Sequence, residues 1–111
     1  MAYSEELAHR VRALLDGRDD VAERPMFGGL TFMVGGHMCC GVHGDELIVR
    51  LHRDDEDMAL SRPHARAMDF TSRPMPGFVT VAPEGVTGEA LASWVALALA
   101  HAESQPPKVA R

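Results

Sequence analysis

The chain has 111 residues, 46% of them apolar, with eleven basic and sixteen acidic side chains and a formal net charge of −5. One domain spanning 1–111 is the expectation at this length, able to bury roughly two-thirds of its unfolded surface. The acidic balance argues against direct nucleic-acid binding, which needs a basic face, and no apolar run approaches the ~20 residues of a membrane span.

The opening MAYSEELAHR is polar, with no apolar signal core, so a cytoplasmic protein is expected. Ser4 is placed to cap a helix, with Glu5 and Glu6 in the first turn against the positive end of the dipole. Leu7, Val11, Leu14 and Leu15 follow on one helical face, and Gly17 suits a left-handed stop. This predicts helix 1 over about 4–16. The charged GRDDVAER is a connector.

Four β-like runs come next, at roughly 24–28, 29–34, 38–43 and 46–52. Gly28-Gly29 suits a bulge, so the first two runs read as one bent strand. Gly44-Asp45 separates the last two and signals a tight hairpin. That turn pairs His43 with Glu46, Val42 with Leu47, Cys40 with Val49 and Met38 with Leu51. The earlier turn allows two registers. A two-residue Gly35-Gly36 loop pairs Val34 with His37. A three-residue loop that includes His37 pairs Val34 with Met38, Phe32 with Cys40 and Leu30 with Val42. The second puts every large apolar side chain on one face and is preferred. Met38, Cys40 and Val42 are then expected to pack beneath the helices.

RDDEDMALSRP reads as a short helix capped by Asp54 and ended by Arg62-Pro63. AMDF and GFVTVA are two further strands. Thr87 caps a last helix whose apolar stripe is Leu91, Trp94, Val95 and Ala98. The tail, about 104–111, is expected to be flexible. The order predicts an α+β fold, an antiparallel sheet with helices on one face.

The stretch MFGGLTFMVGGHMCCGVH, residues 26–43, holds two adjacent cysteines and two histidines. His37, Cys39, Cys40, His43 and His52 lie near one another along or across the hairpin, and His37, Cys39, His43 and His52 are the candidate metal set. Adjacent strand cysteines diverge, however, and His43 lies roughly 13 Å along the strand from Cys39, so surface histidines are the plainer reading. MCCG lacks the C-x-x-C spacing of redox pairs, although Cys39 opposite Arg50 would be an activated thiol. The glycines match no phosphate-loop spacing. No serine stands in a nucleophile elbow, and the acids at 54–57 fit a solvated helix start. A local basic patch is expected around Arg62, Arg66 and Arg73. The sheet face away from the helices is expected to carry Met33, Cys39 and Ile48 as a part-apolar interface candidate.

The stretch ERPMFGGLTFMVGGHMCCGV with ELIVRL resembles the N-terminal domain family of the TfoX/Sxy competence regulators. RPHARAMDFTSRPMPGFVTV and ALASWVALALAHAESQPPK extend the resemblance over nearly the whole chain. It implies a two-layer α-β(3)-α-β(2)-α fold like that of secretion-chaperone domains. It also implies a regulatory, non-enzymatic role in bacterial DNA uptake, in which family members assist the cyclic-AMP receptor protein at competence promoters. No cofactor and no catalytic residue are implied. The sequence ends at Arg111 without the second domain of the larger regulators, so a stand-alone domain with a different partner is expected. A protein partner, such as a transcription regulator, is expected at Arg24, Met26, Phe27, Gly28 and Gly29. A homodimer through the sheet face or an edge strand is expected too.

Overall fold

The computed structural model describes residues 3–26, 28–67 and 77–105. Helix α1 spans Glu5–Leu14, and the Ser4 hydroxyl accepts the Leu7 amide at 3.1 Å, as the cap requires. Strands β1 (Val21–Met26), β2 (Gly29–Val34), β3 (His37–His43) and β4 (Glu46–Arg50) form a meander. A short 3₁₀ turn, Arg53–Asp55, leads into α2 (Glu56–Leu60). Strands β5 (Ala65–Ala67) and β6 (Phe78–Val81) follow, then α3 (Glu89–Ser104). The six strands form one antiparallel sheet in the order β1-β2-β3-β4-β6-β5. The α+β class is as expected. The sheet has four strands before α2 because β1 and β2 are separate antiparallel partners, with Met26 opposite Gly29. No bulge forms at Gly28-Gly29.

All three helices lie on one face. Leu7, Ala8 and Val11 of α1, Ala59 of α2, and Leu91, Trp94, Val95, Ala98 and Ala102 of α3 share one core cluster with Phe32, Val42, Leu47, Val49, Val79 and Val81. The α3 stripe is the predicted one. Leu14, expected in the α1 stripe, is instead 43% exposed. The start of α1 is tied to the β3–β4 turn by the Ser4 amide, which donates to the Gly44 carbonyl at 2.6 Å. At its far end α1 reaches β1 through a two-pronged Arg12–Glu23 pair. That bond holds the Glu23 carboxyl below its ordinary range.

The caps of the later helices differ from expectation. The Asp54 amide donates to the His52 ring at Nδ1, so His52 rather than Asp54 caps the 3₁₀ turn, and α2 starts later than predicted. Gly88, with φ 56°, precedes α3 where Thr87 was expected.

The β2–β3 hairpin combines both registers. Val34 faces His37 and Met33 faces Met38, which is the two-residue turn. Beyond the register shift, Phe32 faces Cys40 and Leu30 faces Val42. Cys39 is the extra residue between the two pairings, and a bulge re-aims the side chains around it. Met38 lies not beneath the helices but in a small second cluster with Ile48, against which Met33 and Phe78 pack. Cys39 lies not on that face but in the main core, fully buried. The β3–β4 ladder has the predicted pairs Cys40–Val49, Val42–Leu47 and His43–Glu46. The predicted Met38–Leu51 pair is not among those of that ladder, since the bulge puts the two side chains in different clusters.

Candidate functional site

The expected partner segment lies on an edge strand and the turn after it. Strand β1 ends the sheet, and its residues from Ala22 to Pro25 are exposed. Arg24 faces Thr31 and projects on the helix-free side, since its neighbour Glu23 meets α1 on the other. Pro25 contributes no N–H to the outer edge, which discourages a second strand from pairing there. Phe27 lies outside the described residues. Gly28 sits in the turn with φ 76°, a left-handed backbone that favours glycine. Gly29 is glycine for a different reason: a Cβ there would meet the Val42 carbonyl oxygen at 2.1 Å. The turn thus presses onto the end of β3, where His43 faces Glu46. The Arg66 guanidinium grips Glu46 with two hydrogen bonds, at 2.6 and 2.8 Å, and lowers its pKa.

The expected basic patch does not stand as one surface. Arg66 is committed to Glu46, and Arg62 lies over the Trp94 ring, 4.1 Å from its centroid. Arg73 lies outside the described residues.

On the helix-free face, Met33 is half-buried and Ile48 is buried. Arg50 lies over the Phe78 ring at 5.8 Å. Cys39 is not with them. Its burial also removes the expected contact with Arg50, whose ladder partner on β6 is Phe78. A hydrogen bond with Cys39, together with burial, pushes the Cys40 thiol well above its ordinary pKa. Both cysteines are free and buried. A thiol reagent added to the native protein will therefore label neither cysteine on the timescale of exposed thiols, and both will react once denaturant opens the core. Rapid labelling of the native chain would contradict the burial.

The histidines do not converge as a metal set. His37 and His43 stand at opposite ends of β3, and His52 lies beyond β4. Among the described residues no three His, Cys, Asp or Glu side chains are placed to hold a metal ion. His52 instead meets the ring of His101 edge-on, with centroids 6.0 Å apart. His101 Nδ1 is buried with no hydrogen-bond partner among the described residues. Burial lowers the His101 pKa first, and Arg50, His52 and His37 lower it further against a smaller opposing effect of Asp55. The fold therefore prefers neutral His101. As pH falls below about 6.5, the unfolded chain takes up a proton that the folded chain resists, so stability falls with it. His101→Gln will flatten that part of the pH–stability curve between neutrality and pH ~5.5, read from urea midpoints. An unchanged slope would refute it.

A second corner of the molecule is assembled only by the fold. Arg62, His64, Glu84 and Trp94 line a cavity of about 270 Å³. Its parts are separated by up to 32 positions in the chain, and no motif links them; only the non-helical SRPHAR after α2 marks a corner.

The fold is thus that of a small α+β domain with an open antiparallel sheet that, among the described residues, carries helices on one side only. The model of the TfoX N-terminal domain matches residues 13–102, and the chain belongs to that family. No curated protein and no solved structure matches the chain.

Proposed function

We propose that this domain is a small regulatory module without catalytic activity, which docks a protein partner in the cytoplasm. The observation that carries this reading is the match to the TfoX N-terminal domain over residues 13–102, a domain of competence regulators. The exposed Arg24 edge, which lies outside the helix-covered core, supports docking on that side. Such a partner is a transcription regulator. No helix among the described residues is long and apolar enough to cross a membrane. The alternative reading, metal or thiol chemistry at His37, Cys39, His43 and His52, finds its cysteine buried in the core.

The test is affinity capture from native lysate, comparing the wild-type chain with an Arg24→Ala/Phe27→Ala variant of verified fold. A transcription regulator retained by the wild type and lost from the variant supports the reading. Equal retention by both proteins removes the site. Light scattering at high concentration tests self-association through the helix-free face, and a monomeric mass would exclude it.

A further inference from the structure

The cavity behind α2 has the parts of a preformed ligand site. Arg62 follows the end of α2 and stacks on Trp94, which is 1% exposed and fixed in the core. A guanidinium held on an aromatic plate keeps its fork in one orientation. Arg62 gives one N–H to the Ser93 hydroxyl, at 3.0 Å. Among the described residues it forms no ion pair, so its other donors remain available to a ligand.

The wall beside it is rigid and strained. His64 has φ 67°, the one positive value among the described non-glycine residues. Its carbonyl accepts the Ala82 amide at 2.9 Å, which pins the corner to the start of the 3₁₀ turn Pro83–Val86. Gly85 of that turn packs so closely that a Cβ would meet His64 Cβ at 2.9 Å and Val81 Cγ1 at 2.7 Å. Strain of this kind persists only where the surroundings hold it, and it gathers at ligand clamps.

Glu84 brings a carboxylate to the same cavity. Arg62 and Glu84 are not paired with each other among the described ion pairs. A simple anion drawn to Arg62 would meet the charge of Glu84, and a simple cation the reverse. A ligand carrying both charges satisfies both walls. We propose that this cavity binds a small zwitterion of the α-amino acid class, its carboxylate on the Arg62 fork and its ammonium group on Glu84, with the His64 imidazole as a further donor to the carboxylate. This inference is independent of the partner-docking reading.

The chain has a single tryptophan, so its emission reports on the site directly. The intact protein is titrated with glycine and L-alanine, following Trp94 emission and calorimetric heat. N-acetylglycine, which lacks the amine charge, and glycinamide, which lacks the carboxylate, are the single-charge probes. Saturable binding of glycine or L-alanine, at least about tenfold tighter than either single-charge probe, is expected. Arg62→Met and Glu84→Gln should each weaken it at least about tenfold with circular dichroism unchanged. Arg62→Lys, which keeps the charge and loses the fork, serves if Arg62→Met fails to fold and should weaken binding as well. Absence of saturable binding by both amino acids overturns the proposal. So does N-acetylglycine binding as tightly as glycine, or binding unchanged in the folded Arg62 and Glu84 variants.

Discussion

Gly29→Ala will destabilise this domain more than a substitution at any of the turn glycines with open surroundings. The added methyl would stand 2.1 Å from the Val42 carbonyl oxygen, 3.1 Å from its carbon and 3.2 Å from His43 Cα. All three are backbone atoms, so no side chain can swing aside. The strand can escape only by parting from β3, which breaks the Leu30–Val42 pairing next door. Overpacking typically costs about 1–3 kcal/mol, and a clash with fixed backbone belongs at the upper end or beyond. Gly35→Ala is the control. Gly35 has φ 60° with nothing within 4 Å of its missing Cβ, so its cost is the left-handed backbone alone, about 1–2 kcal/mol. Urea midpoints read by circular dichroism separate the two. Equal midpoints would mean that β2 and β3 do not approach as described. On the proposed docking reading, the same variant should also lose partner capture, because Gly29 adjoins the proposed segment.

Phe32→Ala will cost about 3–5 kcal/mol, a large part of the 5–15 kcal/mol that a domain of this size holds. Phe32 has no exposed surface and stands in β2 between Glu23 and Cys40. It is among the largest fully buried side chains, together with Trp94 and Leu47. Removing the ring leaves a cavity beneath the helices that strand backbone, held by ladders on both sides, cannot collapse to fill. Phe32→Leu retains much of the volume and should cost clearly less. A loss below about 1 kcal/mol in Phe32→Ala would show that the core is not centred there.

The two halves of the β2–β3 hairpin show how far local reasoning reaches. Turn chemistry favours Gly35-Gly36 as a two-residue loop, and that loop is present. Burial favours Phe32 opposite Cys40, and that pair is present too. Sequence patterning treats these as rivals, because a regular strand has a period of two and one slip inverts every face. The bulge at Cys39 satisfies both by adding one residue on β3. Its consequence is chemical. The cysteine that a regular strand would expose beside Arg50 is buried, and Met38 takes a place on the opposite face.

The elements with local causes were legible in the order of the residues. The Ser4 cap depends on a hydroxyl three residues from the amide that it accepts. The Gly44-Asp45 turn sets the β3–β4 register, and the α3 stripe follows from helical periodicity. Family membership was legible in the ordered motifs around Met26-Phe27-Gly28-Gly29, and the match over residues 13–102 agrees. The remaining features depend on atoms distant in sequence. Gly29 is required by a carbonyl thirteen positions away, on a neighbouring strand. Cys39 is buried because two registers meet at it. Arg62, His64, Glu84 and Trp94 share a cavity because β6 inserts between β4 and β5 and carries the next turn and α3 back to the end of α2. Periodicity and turn propensity act over a few residues, whereas close approach, strain and the pairing of charges across a cavity arise only when the sheet has closed and the helices have packed on it.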